Sequence, residues 1–151
     1  MPTPATTPAR ATCLRGEPLA HVDVDLTNLE RPQEVARRVV ADILTEADES
    51  WVEGIILVVD ELVGNAYRHV EAGKPIELTA DLYEWGAVAQ VTDSGMDITA
   101  IPRQPEQPTL EAEGGRGLIL VDALASSWFV RPNETGKCVT ALFHHPSGIL
   151  R

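Results

Sequence analysis

The stretch that decides the fold is residues 51–70, which read WVEGIILVVDELVGNAYRHV. Its apolar residues recur every three or four positions, the spacing that places them on one face of a helix. This predicts an amphipathic helix over about 51–70 that ends before Gly73, with Ser50 as its N-cap. Glu61 and Asn65 are four positions apart, so they lie one turn apart on one face, which we place opposite the apolar stripe.

Weaker patterns around this helix predict the other elements. Loose alternation predicts a strand at 19–26, and Pro32 ahead of helically spaced apolar residues predicts a helix at 31–47. Further along we predict a hairpin of strands 75–83 and 87–92, a helix at 117–126 and strands at 128–130 and 138–144. The order is β-α-α-β-β-lid-α-β-β, an α+β arrangement in which the lid is the irregular, proline-containing stretch before the third helix.

Two further clusters have the chemistry of a ligand site. Asp93 and Gly95 follow the second hairpin strand; Asp93 can accept a hydrogen bond from an exocyclic amine, and Gly95 lets a ring approach the backbone. Glycines at 114, 115 and 117 precede the third predicted helix, where free N–H groups and the helix dipole favour an anion. Each cluster alone also fits an ordinary solvated face, turn or hinge.

Composition limits the class of protein. The chain has 151 residues, 44% of them hydrophobic, and a net charge of −11, which argues against nucleic-acid binding and against docking on anionic lipid. It contains neither a secretory signal nor an apolar run of the ~20 residues that a membrane span needs. Cys13 and Cys138 fit neither a metal spacing nor a disulfide framework, so we expect both to be reduced. These features predict a cytoplasmic protein.

The predicted domain organisation is simple. Residues 1–17 are rich in Thr, Pro and Ala, and we expect a flexible tail. Residues 18–147 form one domain, and residues 148–151 form a second short tail. A loop of about 20 irregular residues inside a compact domain is usually a functional lid or a mobile linker.

In order and spacing, the three clusters resemble the boxes of the histidine-kinase-like (GHKL or Bergerat-fold) ATPases, and within them the small anti-sigma factor serine/threonine kinases. Residues 61–69 resemble the N-box, 93–95 the first glycine box and 114–118 the second, and the resemblance covers about 19–145. It implies a two-layer α/β sandwich: a mixed sheet covered on one face by helices, with an ATP lid at 96–113.

The resemblance also implies roles for single residues. Glu61 would be the general base, and Asn65 would coordinate Mg²⁺ through its side-chain oxygen. Asp93 would bind the adenine amino group and Gly95 would make room for the ring. The residues that would hold the phosphates of ATP, mainly through backbone amides, belong to the second glycine box: Gly115, Arg116, Gly117 and Leu118. Arg68 would lie near the nucleotide rim or a partner.

One position departs from the family pattern: Asp97 stands where a second glycine of the first box is common, which bears on nucleotide affinity. The function implied is that of a kinase that phosphorylates Ser or Thr of an anti-anti-sigma (STAS-type) antagonist and sequesters a sigma factor. The resemblance is also compatible with a homodimer, because relatives in the family are often dimers. The alternative is a regulator that binds ATP, or a partner alone, without phosphoryl transfer. A histidine-kinase catalytic domain cut from its sensor is disfavoured, because no pair of dimerisation helices precedes the fold.

Overall fold

Five strands and three helices form the part of the chain that a computed structural model describes, residues 16–95, 113–134 and 136–145, with 113–118 in backbone only. The strands are β1 (Ala20–Asp25), β2 (Ile76–Tyr83), β3 (Gly86–Asp93), β4 (Ser127–Pro132) and β5 (Lys137–His144). The helices are α1 (Pro32–Ile43), α2 (Glu49–His69) and α3 (Glu113–Leu124). The predicted α+β class and the predicted order of helices and strands are confirmed.

The strands form one sheet in the order β1-β2-β3-β5-β4, and every neighbouring pair in it is antiparallel. The expectation of a mixed sheet is therefore wrong for the described residues. The reason is topological: β1 pairs with β2, β2 with β3 and β4 with β5 as successive strands, and the chain between β3 and β4 returns so that β5 runs against β3.

The core lies between the sheet and the helices. Strand registers align Leu78, Val91, Val139 and Val130 in one row across four strands, all buried and on the same face. This face shares one hydrophobic cluster with the buried residues of α1 and α2 and with Val121 of α3. Alternation with period two thus produces one apolar face that the helices cover, as the two-layer prediction requires.

Helix α2 begins two residues earlier than predicted, and its N-cap is Asp48, not Ser50. The Asp48 carboxylate accepts from the backbone N–H of Trp51 at 3.1 Å, while the Ser50 hydroxyl donates to the same carboxylate at 2.8 Å. A carboxylate at the N-cap satisfies an otherwise unpaired amide and interacts favourably with the helix dipole.

Two other helices differ from their predicted bounds. Helix α1 stops at Ile43, because Leu44 and Ala47 close tight turns through i→i−3 bonds at 3.1 Å and remain buried in the core. Helix α3 starts at Glu113, so its first turns include the glycine-rich segment that we had placed before a helix at 117–126. It ends at Leu124 because the Ser126 N–H already bonds the Leu142 carbonyl at 2.7 Å, beside β5.

Polar side chains fix α2 against the neighbouring segments. The Tyr67 hydroxyl donates to the Leu26 carbonyl and accepts from the Leu29 N–H at 3.0 Å, which ties the end of β1 to α2. The Gln33 side chain of α1 donates to the Asp60 carbonyl at 2.9 Å. In the described ranges, no helix combines the length and the hydrophobicity needed to cross a bilayer.

Candidate functional site

The first part of the candidate site lies on the last two turns of α2, where Arg68 binds both predicted residues. Its Nη2 donates to Asn65 Oδ1 and lies 3.3 Å from Glu61 Oε2. Asn65 is only 3% exposed, whereas the side chains of Glu61 and Arg68 are 25% and 42% exposed. The expectation that Asn65 lies on an open face, away from the core, is therefore wrong.

This arrangement already attracts a cation. A carboxylate and an amide oxygen converge on the Arg68 guanidinium, and both are oxygen donors of the kind that Mg²⁺ prefers. The donor chemistry therefore fits a magnesium ion that takes Asn65 and completes its shell with phosphates and water. The described residues contain no cluster of three or more ligating side chains, so the protein alone offers no complete metal cage.

Gly64 lies in the middle of α2 for a packing reason. A Cβ on Gly64 would lie 3.0 Å from the Gln33 side-chain nitrogen, tighter than ordinary contact. The glycine thus lets α1 and its Gln33 side chain lie close to α2. A poor helix former in mid-helix marks a close approach here, and it is not by itself evidence for a ligand.

The second part of the site lies where β3 ends and β5 begins. Asp93 and Lys137 are register partners, and both are almost completely buried. Asp93 Oδ1 accepts from the Gly95 N–H at 2.8 Å and from Lys137 Nζ at 3.1 Å. Asp93 and Gly95 therefore come together as predicted, but Lys137 was missed.

The two parts meet at Gly95. A Cβ there would lie 3.1 Å from the His69 carbonyl oxygen of α2 and 3.3 Å from Lys137 Nζ. The last turn of α2, which begins after the Asn65 turn, thus abuts the Asp93–Gly95 segment. Any side chain at this position would displace one of these neighbours, so close packing explains why residue 95 is a glycine.

Comparison with known proteins bears on this geometry. Residues 25–143 match the family model of the histidine kinase-like ATPase domain. The chain belongs to this family. No curated protein matches the chain significantly. Domains of this family bind ATP, generally with Mg²⁺, and the matched range contains both parts of the site just described.

The segment that resembles the second glycine box, residues 114–118, lies inside a helix. The backbone N–H groups in the first turn of α3, including that of Gly115, have no acceptor within the helix. The N–H groups of Arg116, Gly117 and Leu118 come later and are positioned to bond to carbonyls four residues earlier. The expectation that the glycines precede the helix is therefore wrong in position. The assignment of these four residues to phosphate binding stays a prediction.

Several predictions fall outside the described residues. They are the lid up to residue 112, Asp97, Cys13, and the tail residues 1–15 and 148–151. Cys138 is half-buried and forms no disulfide with any described residue, and the reduced state of the two cysteines stays a prediction.

The sequence analysis also assigned no role to Ser94. Its Oγ is buried and has no hydrogen-bond partner among the described residues. Buried hydroxyls in folded proteins are usually hydrogen-bonded, so this oxygen is available to a ligand or a water. The signal for Lys137 was present in the sequence, since it is one of only two lysines and precedes a largely apolar strand.

Shifted pKa values occur on the other face of the sheet, away from this site. A hydrogen bond from His21 to the Asp81 carboxylate raises the pKa of His21, and Asp23 adds to the effect. Burial raises the pKa of Glu77, as do the nearby charges of Asp23 and Asp25. These groups belong to the polar face of β1 and β2 and have no part in the candidate site.

Proposed function

We propose that this protein is an ATP-dependent regulator of transcription. It binds Mg-ATP, phosphorylates a serine or threonine of an anti-anti-sigma (STAS-type) antagonist, and sequesters a sigma factor. The observation that supports this most is the contact between the end of α2 and Gly95, because it brings the N-box side of the site next to the base side. Membership of the ATPase family supports the nucleotide, and the presence of Glu61 supports transfer, since binding alone needs no base.

The chemistry assigns one task to each group. Glu61 takes the proton from the attacking hydroxyl, whose oxygen bonds to the γ-phosphorus as the bond to the β-phosphate oxygen breaks and ADP leaves. Mg²⁺, when bound, neutralises charge on the phosphates. Asn65 offers it an oxygen, Asp93 accepts from the adenine amine, and the first amides of α3, with Gly115 among them, donate to phosphate.

Arg68 determines when Glu61 can act. Its Nη2 lies 3.3 Å from Glu61 Oε2, while no described residue donates to the other carboxylate oxygen. That second oxygen is free to accept a proton from a substrate hydroxyl. The Arg68 side chain is long and partly exposed, and its guanidinium binds phosphate well. Nucleotide binding would therefore move it away from Asn65 and leave the Asn65 oxygen available to the metal ion.

The same contact favours a second candidate function. If Arg68 keeps its hydrogen bonds to Asn65 and Glu61 when nucleotide is bound, neither residue is available to the metal or the substrate, and no phosphoryl group is transferred. The protein would then regulate by association alone, with ATP or with a partner. The net charge of −11 suits a basic region of a sigma factor in either case, although an acidic charge is common among cytoplasmic proteins.

Calorimetric titration of Mg-ATP tests the first step. Binding by the wild type supports the pocket, and a folded wild type that does not bind leaves a nucleotide-independent regulator. The second step is transfer of labelled γ-phosphate to purified STAS-type proteins from the source organism. We expect Glu61→Ala to retain ATP binding and lose transfer.

A matched control separates chemistry from charge. Glu53→Ala removes the same group from an exposed position eight residues earlier on α2, and it should transfer phosphate like the wild type. Loss of ATP binding in Glu61→Ala would contradict the role of Glu61 as a base. Complex formation with purified sigma factors, measured by native mass spectrometry, tests sequestration and reports on a homodimer at the same time.

A further inference from the structure

Lys137 is a buried cation whose hydrogen bonding is incomplete. It opens β5, is 1% exposed, and donates to Asp93 Oδ1 at 3.1 Å. An ammonium has three N–H donors. Within the described ranges the other two have no acceptor. Buried charges in proteins are normally paired and fully hydrogen-bonded, so the two remaining N–H groups of this paired cation are available to a ligand.

Two neighbouring oxygen atoms also lack a hydrogen-bond partner among the described residues. Within the described part of the chain Ser94 Oγ is buried without a hydrogen bond, and Ser94 lies between the two residues that Lys137 approaches, Asp93 and Gly95. Asp93 uses Oδ1 for both Gly95 and Lys137, so its Oδ2 accepts from none of the residues that the structure describes. A free acceptor, a free charged donor and an orphaned hydroxyl thus lie together at one end of the sheet.

The Asp93 carboxylate and the Lys137 ammonium are complementary to the edge of a nucleotide base that carries a hydrogen-bond donor next to an acceptor. In adenine the 6-amino group donates and the adjacent ring nitrogen N1 accepts. A carboxylate alone can only accept, so Asp93 can read the amine but not N1. We propose that Lys137 is a base-recognition residue of the nucleotide site, donating to N1 while Asp93 accepts from the amine. The proposal rests on the proposed function, since it requires that the site binds ATP.

A purely structural Lys137, the counter-ion of Asp93, would have a different effect. Its removal would weaken the fold or the pocket for every nucleotide alike, because no bond to the base would be lost. A base-recognition residue instead changes the ratio of affinities for two nucleotides that differ only at the atom it contacts. The ratio is insensitive to a general loss of stability.

The experiment compares ATP with 1-deaza-ATP, in which N1 is replaced by C–H and the amine is retained. In the wild type we expect 1-deaza-ATP to bind about tenfold more weakly or worse, because a hydrogen bond to a charged group is worth roughly 1.5–3 kcal/mol. In Lys137→Met the two nucleotides should bind equally. Lys74→Met, which changes the chain's other lysine at an exposed position, should keep the wild-type ratio.

The outcomes separate the two hypotheses. If the folded wild type fails to bind ATP, the proposed function fails and this inference fails with it. If ATP binds and the ratio is the same in the wild type and Lys137→Met, only the role of Lys137 is overturned. Should Lys137→Met not fold, Lys137→Gln keeps a neutral donor for Asp93 and should still bring the ratio below half its wild-type value; an unchanged ratio there overturns the role equally.

Discussion

Arg68 donates to the side-chain oxygen of Asn65, three positions earlier on the same helix, and this is the oxygen that a magnesium ion would take. The guanidinium therefore occupies the ligand oxygen that the metal ion would use. It also holds Glu61, so a single side chain engages the expected metal ligand and the expected base. We therefore expect metal binding and release of the base to be coupled through Arg68.

We expect Arg68→Met to make nucleotide binding more dependent on magnesium. Two unit charges 4 Å apart interact by about 1 kcal/mol in water, so removing the guanidinium favours the metal about fivefold. The measurement is the ratio of Kd for ADP in EDTA to Kd in Mg²⁺, which cancels any direct contact of Arg68 with phosphate in both conditions. Arg38→Met, at an exposed position of α1, should keep the wild-type ratio, and a lower ratio in Arg68→Met would contradict the coupling.

Asp93→Asn should abolish nucleotide binding and also lower stability. Breaking a buried ion pair by removing one partner costs roughly 3–5 kcal/mol, since Lys137 stays buried without its counter-charge. Urea unfolding would show the loss. The double variant Asp93→Asn with Lys137→Met should regain most of the stability and none of the binding, which distinguishes a lost ligand contact from a damaged fold.

Glu77→Gln should stabilise the protein at pH 7. Glu77 lies directly opposite Asp25 in the β1–β2 register, and burial together with Asp23 and Asp25 raises its pKa above 4.5. Because a raised carboxyl pKa disfavours the charged form in the fold, the destabilisation is present above that pKa and disappears as the pH falls below 4.5. We expect a gain below about 1 kcal/mol in urea unfolding at pH 7. An equal gain at pH 4 would show that charge is not the cause.

His21→Gln should flatten the dependence of stability on pH. The hydrogen bond to Asp81, with help from Asp23, raises the pKa of His21 above 6.5, so the protonated ring stabilises the fold. This contribution is complete below 6.5 and is lost as the pH rises through the higher folded value. Thermal unfolding between pH 6 and 9 should therefore decline less in His21→Gln than in the wild type. Asp23→Asn should retain part of the decline, and a parallel decline in all three would refute the linkage.

Tyr67→Phe should lower the free energy of unfolding by about 1–3 kcal/mol, the cost of leaving buried backbone groups without a hydrogen bond. The hydroxyl joins the Leu26 carbonyl and the Leu29 N–H, and Leu26 is fully buried. Urea unfolding measures the change. Unaltered stability would mean that water replaces the hydroxyl at both groups.

The sequence predicted α2 and the β2–β3 hairpin well, because their periodicity is strong and local. Boundaries failed where tertiary contacts override local preference. The glycines at 114, 115 and 117 are poor helix formers, yet they lie inside α3, and Asp48 caps α2 where Ser50 was predicted.

The site was predictable in its parts but not in its connections. Asp93, Asn65 and Glu61 stand out by type and spacing. The pairing of Asp93 with Lys137 depends on the register of β3 against β5, and no local pattern specifies it. Arg68 lies within helical reach of Asn65, but rotamers of a long side chain are decided by the surrounding charges.

The register that joins Asp93 to Lys137 also orders events during folding. These two residues are 44 positions apart, and they meet only when β5 has closed against β3. Non-local pairings of this kind form late, because loop-closure entropy must be overcome first. A chain still emerging from the ribosome can therefore form α2 and the β2–β3 hairpin before Asp93 and Lys137 meet. Nucleotide binding would then become possible only at the end of folding.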